Sequence, residues 1–561
     1  MIKLVKQKKL IKFFYNYQRK YLPLAIVAGV LLLINVLLTL PMPLVTRYLI
    51  DHIIPSGNLG DLNLLCGLLV TAIMLNQGVA YFYRYLIIKY KARVNFDLEQ
   101  DLYFHIQELP MNYFSKHSSG YILSRIGEVS ATEAVMADTF FNILKDLITM
   151  IVGAVFMLKY HLTLSLVSFI VLPFFIFSLK FFHKRIKAIN KELKEENALY
   201  TGTLEKNITA IEKIKSTVNE QKTGQRLMAK LSSLIRLRVK SQLLGTLAGV
   251  VAAFFGVISP IVLIWYGSAE IMNGNLTLGT FFAFNSFLGY LYGPAQRLTN
   301  IGYTFSQAMA GLERIYELIN EAEEDKSGDP APEIKEIVFE NVNFSYNGTE
   351  GENVLNNLNL TIKSGERLAI VGESGQGKST LVKMILKFFH PDTGRLTFSG
   401  KDSRRIAVKD LRRKIAYISQ NQRILEEELE EKLSRGETRA LLKKFRLDKS
   451  IANGEVRQTE FSGGEIQKLE LMESALRQAD VLIVDEGTSN IDYNSEKIVL
   501  KELLDKYKDK IFIFIAHRLS SITDFDRIIV IDRGSVAEEG THDQLIRKES
   551  KYRFLWGRGK D

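Results

Sequence analysis

Six apolar runs, each about the length of a bilayer-spanning helix, decide what the first half of this chain can become. A helix needs roughly 20 apolar residues to cross the hydrocarbon core. Leu22–Thr46, Leu62–Tyr83, Tyr160–Leu179, Ser241–Ala269 and Ile271–Gln296 carry no Asp, Glu, Lys or Arg, and Thr139–Leu158 is interrupted only by Lys145-Asp146. These runs predict membrane helices over 22–50, 62–89, 134–158, 160–183, 241–269 and 276–300, within a membrane domain of residues 1–320. Tyr266–Gly279, with Gly267, Gly274 and Gly279, reads as the turn between the last two.

Charge placement orients them. Lys3, Lys6, Lys8, Lys9, Lys12, Arg19 and Lys20 precede the first run, while the turn Asp51–Asp61 has no lysine or arginine. The connections 84–138 and 180–240 are long and basic, and short-loop cations mark the cytoplasmic side. Both termini and both long connections are therefore expected in the cytoplasm, and the basic N-terminal run at the inner leaflet. The excess of 73 Lys and Arg over 62 Asp and Glu, a net charge of +11, gathers at the ends of apolar runs. It points to a membrane partner and not to nucleic acid. A single cysteine, Cys66, excludes an intrachain disulfide and a cysteine-built metal cluster. The first run shows no small-residue cleavage site and reads as a retained anchor. No peptidase domain precedes it, so no leader cleavage is expected.

The long connections are rich in Lys, Glu and Leu without proline over 188–202 and 204–229, so helices should continue well past the membrane. LPMNYFSKHSSGYILSRI at 109–126 breaks that pattern at Ser118-Ser119-Gly120. It reads as a short crossing helix at the tip of a helical hairpin, or as a plain helix-to-helix turn.

Past Gly311-Leu312-Glu313-Arg314 the pattern changes. Residues 321–335, acidic and carrying Pro330 and Pro332, read as a linker. From 336 to 561 short apolar strands (VFENVNFSY, RLAIVG, IAYISQ, VLIVDE, IFIFIAH, RIIVID) alternate with helical stretches, the pattern of an α/β domain with a largely parallel sheet. RLAIVG runs into GESGQGKS at 372–379, a G-x-x-x-x-G-K-[ST] match. Gly372, Gly375 and Gly377 let the backbone approach phosphates, and consecutive N–H groups at a helix start suit an anion. Lys378 would neutralise phosphate charge, and the Ser379 hydroxyl would ligate Mg²⁺. VLIVDE ends in Asp485, suited to the Mg²⁺ shell, and Glu486, suited to a general base or to orienting water; two surface acids at a strand end would look the same. His517 and Gln420 each follow a strand and carry little signal alone. Tyr346 could stack on a base or simply pack.

In order and together, these residues resemble the ATP-binding-cassette (ABC) transporters, and more narrowly a half-size exporter with six membrane helices ahead of one cassette. The resemblance covers nearly the whole chain. It implies a membrane all-α domain followed by a soluble α/β P-loop NTPase domain. It implies ATP and Mg²⁺ as the bound groups, with Tyr346 stacking on adenine. Residues 372–379 would be the Walker A loop, with Ser374 and Thr380 in the nucleotide-binding set. Gln420 would sense Mg²⁺, Phe461–Glu465 would be the signature through Ser462, Gly463 and Gly464, and Asp485-Glu486 would be Walker B. Ser489–Asp492 would be the D-loop, with Asp492 at the nucleotide, and His517 the switch histidine. Coupling helices are expected near 111–120 and 208–216. Two chains would close on two ATP molecules, each held by one chain's loop and the partner's signature, a homodimer before a heterodimer. The resemblance further implies an exporter or flippase for an amphipathic or hydrophobic cargo, in a bacterial cytoplasmic membrane.

Two departures stand out. The signature reads FSGGE where LSGGQ is usual, placing the acid Glu465 near a phosphate site, and the stretch from Gln420 to Ser462 is short and thick with charge. They leave open a second reading, a regulatory or weakly catalytic subunit of a heterodimer. The aromatics of the sixth run (Phe281, Phe282, Phe284, Phe287, Tyr290, Tyr292) are read as lipid-facing or packing residues, or as the lining of a cavity for apolar or peptidic cargo. Lys145, Asp146 and Arg84, charges at or near membrane depth, are expected to pair or to sit at the interface before touching cargo.

Overall fold

The computed structural model describes the backbone of residues 2–346, 351–419, 463–485, 487–488, 491–516 and 518–558, with Phe445 and Leu447; side chains at 2–7, 130–139, 296, 298–304, 306–307, 463, 475–476, 493–494 and 558 are left out. The chain divides into two units: 1–107 with 119–321, and 108–118 with 322–561.

The first unit is helical throughout. α1 (Ile2–Gln18) buries Leu10 and Phe14. α2 (Leu22–Thr39) and α3 (Met42–Tyr48) lead into a π-helical turn, Leu49–Ile53, and the single turn α4 (Ile54–Ser56). Then come α5 (Leu59–Gln107), α7 (Ser119–Tyr160), α8 (Leu162–Thr209), α10 (Glu220–Met272) and α11 (Leu278–Ile319). Between α8 and α10 lies the short helix α9 (Ile211–Ser216); the short helix α6 (Met111–Lys116), which follows α5 in the chain, falls in the second unit, and both lie within the segments read as coupling helices. Among the described residues five helices are long and apolar enough to cross a membrane, and α11 is not one of them. The 53 residues of α10 reach about 80 Å at 1.5 Å per residue, far beyond a hydrocarbon core of about 30 Å. The turn between the last two runs is tighter than its glycines suggest, since α10 ends at Met272 and α11 begins at Leu278. Asp51 of the π turn holds the start of α11, accepting from Gly279 N at 2.8 Å and Thr277 Oγ1 at 2.6 Å.

The sixth apolar run packs more than it lines. Phe284 and Phe287 are buried with Met157, Leu164 and Leu263, and the Phe287 ring stacks on Phe156 at 5.6 Å. Tyr290 OH donates to Thr39 O at 3.0 Å and Tyr292 OH to Ser168 O at 3.4 Å, while Phe282 stays exposed. The expected pairing of the membrane-depth charges is corrected in its partner. Asp146 is buried and accepts from Arg297 Nε at 2.9 Å and Nη2 at 2.6 Å. Lys145 and Asp146, consecutive on one helix, point about 100° apart and cannot face one another. A guanidinium on α11 meets the carboxylate instead, in a planar two-point pair.

The second unit holds two sheets. β1 (Glu336–Phe344), β2 (Leu355–Lys363), β4 (Thr393–Phe398) and β5 (Lys401–Asp402) form an antiparallel sheet in the order β2-β1-β4-β5. The larger sheet runs β10-β9-β3-β8-β7-β6, from β3 (Arg367–Val371), β6 (Ile415–Ile418), β7 (Val481–Asp485), β8 (Ile511–Ile515), β9 (Arg527–Asp532) and β10 (Ser535–Gly540). All its pairings are parallel except β9 with β10. VLIVD and IFIFI are buried at every position, as expected of parallel strands covered on both faces. One rung passes through Ile370, Ile515 and Asp485, so β3, β8 and β7 end level, and Ile418 pairs with Val484 one step earlier. Ligands of such sheets bind outside the carboxyl ends of the strands.

Candidate functional site

The glycine loop leaves that edge from the middle of the sheet. Gly372, Gly375 and Gly377 all have positive φ, at 154°, 82° and 101°. Gly372 is obligatory on space as well, because an added Cβ would lie 2.3 Å from Ile531 O on β9. The loop opens α12 (Lys378–Ile385), with Gly377 as its left-handed N-cap. Lys378 is buried, its Nζ donating to Gly372 O at 2.7 Å and Glu373 O at 2.9 Å, so the cation is held inside the curl of the loop. Ser374, Gly375 and Ser379 are exposed beside it and Thr380 is buried. Backbone N–H groups, a helix start and an enclosed ammonium make a cradle for an anion.

Tyr346, in the turn after β1, packs against the same helix. Its hydroxyl lies 3.0 Å from Thr380 Oγ1, its ring meets Phe344 and Phe389 edge-on, and Lys383 lies 5.8 Å from the ring centroid. The two readings of this residue meet here: it packs, and a third of its surface remains open.

Asp485, buried at the end of β7, has Oδ2 3.5 Å from the hydroxyl of Tyr417 on β6. Burial, and then the adjacent Asp485 charge, push the Tyr417 phenol well above its ordinary range. Sequence reasoning missed Tyr417, which reads only as an alternating residue of IAYISQ. The loop is braced from the β9–β10 turn by Gln376 Oε1, which accepts from Arg533 N, and the same turn is tied to β2, where Asn356 N donates to Gly534 O at 2.9 Å.

Gly463 and Gly464 begin the helix α14 (Gly463–Leu476), with Glu465 in its first turn. Asp492 caps α15 (Tyr493–Lys506): Oδ1 accepts from Ser495 N at 2.9 Å, and the bonds from Ser495 hold its carboxyl below the usual range. A local capping role is therefore in place for Asp492 whatever else it does. Ser462, Glu486, His517 and Gln420 lie outside the described residues, as do Ser489 and Asn490.

A strand, a glycine loop, a helix and a carboxylate at the end of the next strand but one in the sheet define a P-loop nucleotide-binding domain, here covalently continuous with a bundle of very long apolar helices. Residues 25–295 match the family described as ABC transporter transmembrane region, and residues 355–489 match the family described as ABC transporter. The chain belongs to the ABC transporters, as a half-size exporter with one membrane domain fused to one cassette. It is 30% identical over 556 residues to an ATP-dependent lipid A-core flippase of Syntrophus aciditrophicus, covering 95% of this chain and 92% of that one. It is 29% identical over 526 residues to the lactococcin-A transport/processing ATP-binding protein LcnC of Lactococcus lactis, covering 91% of this chain and 73% of that one. Its fold matches the structure of a bacterial Atm1-family ABC exporter with ATP bound, at a TM-score of 0.78 and 21% identity over 97% of this chain and 98% of that one. The chain is thus an exporter-type transporter that binds nucleotide and crosses the membrane several times.

Proposed function

We propose that this chain hydrolyses ATP, as one half of a dimer, to move an amphipathic or hydrophobic cargo out of a bacterial cytoplasm. The observation that carries this is the buried Lys378 inside a glycine loop whose strand ends level with Asp485. The site suits a nucleotide triphosphate: N–H donors and an ammonium for the phosphates, and the half-open Tyr346 ring for a base. It also suits Mg²⁺, a hard cation that takes few protein oxygens when phosphates supply the rest. Ser379, Asp485 and Gln420 are the residues that would hold it, where it draws charge from the transferred group. Glu486, next after Asp485, takes a proton from or orients the attacking water, and His517 contacts the terminal phosphate. Lys378 stays fixed at the phosphates throughout. Ser462, Gly463 and Gly464 reach the partner chain's nucleotide, so closure of two chains completes both sites. Both termini and the cassette lie in the cytoplasm, on the side that the lysines and arginines mark.

The relatives' names point to lipid A-core and to lactococcin-A, and the cargo class proposed is broad enough to take in both, amphipathic or hydrophobic. Full-length protein in liposomes should lose ATP turnover by roughly 10²-fold or more on Glu486→Gln, the scale of a general-base contribution. Turnover unaltered by that change overturns the reading. Glu465 favours a second reading, a weakly catalytic subunit of a heterodimer, because an acid in the first turn of α14 occupies the end of the helix dipole a phosphate would use. Full turnover by the chain expressed alone excludes it.

A further inference from the structure

The stretch that reads as a linker is laid along the soluble unit as a strap. Glu324 forms a two-point pair with Arg412, at 2.8 Å to Nη1 and 2.6 Å to Nη2. Arg412 also donates to Leu386 O at 3.0 Å and Lys387 O at 3.2 Å, and its guanidinium lies 4.7 Å from the centre of the Phe388 ring. Further on, Asp329 N donates to Arg405 O at 2.8 Å and Ala407 N to Asp329 O at 2.9 Å. Between them Gly328 passes so close that a Cβ would lie 2.6 Å from Ala407 N. Lys414 Nζ donates to Pro332 O at 2.9 Å, and Ile334 N to Asp480 Oδ2 at 3.1 Å.

The same strap grips the segment that ends in α6. Glu324 N donates to Glu108 O at 2.8 Å, Lys326 Nζ lies 3.1 Å from Glu108 Oε2, and Lys409 Nζ 3.5 Å from Glu108 Oε1. Glu108 therefore answers two cations, one on the strap and one on the helix α13 (Val408–Arg413) that carries Arg412. From α13 the chain enters β6, whose Tyr417 hydroxyl reaches Asp485. A continuous set of side-chain and backbone bonds thus joins the carboxylate at the nucleotide edge to the segment before α6. Coupling between distant sites is carried by such contiguous networks when one of their elements has two arrangements.

We propose that Glu324, Lys326 and Glu108 are positioning residues for transport: the strap locks the α6 segment to α13, so that motion of the cassette is handed to the helices α5 and α7 that flank it. This inference rests on the exporter reading, and its test separates the two. In a Cys66→Ser background, spin labels are placed at Lys548 on the cassette and, in a second sample, at Asn273 at the far turn. Label-to-label distances within the dimer are then read in liposomes with and without ATP and Mg²⁺. In the otherwise unaltered chain both pairs should shift on nucleotide addition; if the Lys548 pair does not move, the exporter reading itself is wrong. Glu324→Ala should leave the Lys548 shift in place and lower the nucleotide-driven population at Asn273 by roughly 5-fold, the lower end of measured site-to-site couplings. Lys326→Ala, which spares Arg412 and its carbonyl bonds, should act in the same direction with a smaller loss, and Glu324→Asp should recover part of it. If the Asn273 shift persists in full in both alanine variants, the strap is only a tether and the proposal falls.

Discussion

Glu470 lies within α14, between the buried Leu469 and Leu471, and is itself 5% exposed. One carboxyl oxygen, Oε1, has no hydrogen-bond partner among the described residues. Burial, reinforced by Glu473 one turn on, pushes its carboxyl from an ordinary 4.5 up to about 7. Glu473 itself is engaged by Arg477 at 3.2 Å. In the unfolded chain Glu470 loses its proton near 4.5, whereas in the fold it keeps the proton to about 7. Between those values ionisation favours the unfolded state, so folding stability falls as pH rises and the loss is complete above the folded value. At 1.36 kcal/mol per unit the full cost is about 3 kcal/mol. Glu470→Gln removes the titration and introduces its own pH-independent cost for a poorly partnered amide. The difference between the two proteins is therefore diagnostic in its slope. Thermal unfolding of the full-length chain in detergent should show the variant gaining on the original between pH 5 and pH 8. The gain should approach roughly 6–12 °C, at about 2–4 °C per kcal/mol for a domain of this size. A melting difference that is the same at both pH values would refute the argument, and with it the picture of a neutral acid packed inside α14.

Two further outcomes are expected. Asp146→Ala should leave Arg297 without its carboxylate and lower thermal stability by about 1–3 kcal/mol; the loss should shrink in the Asp146→Ala, Arg297→Met double variant, and simple additivity would count against a direct pair. In a Glu486→Gln background, Glu465→Gln should tighten ATP binding by about 2–5-fold, the worth of one charge at a helix start; an unaltered affinity would mean that Glu465 lies outside the reach of the phosphates.

What could be read from the sequence was local, and what could not depended on distant partners. The glycine loop is legible because its chemistry is made by consecutive residues, from Gly372 to Ser379, and its strand and helix neighbours carry their own periodicity. The long helices are legible for the same reason. Arg297 and Asp146 find each other across 151 positions, and no spacing rule points from one to the other. The aromatics of α11 show the same limit: composition marks them as apolar, but only packing decides that Phe287 is buried and Phe282 exposed. Residues 321–335 read as a linker from their acids and prolines, but composition does not point to the partners of Glu324 and Lys326, Arg412 and Glu108, which lie far off along the chain. Glu465 departs from the usual signature, yet its place in the first turn of a helix, where a negative charge is favourable, gives it a local reason to be there.

The length of α5 has a mechanical consequence. Its 49 residues contain no proline and end at Gln107, the residue before Glu108. A rod of that length is about 74 Å from tip to tip at 1.5 Å per residue. A tilt of about 5° applied at one end would sweep the other through roughly 6 Å, the diameter of a small headgroup. With leverage of that kind, a small rotation at the Gln107 end of α5 becomes a displacement at its Leu59 end large enough to change what that end packs against.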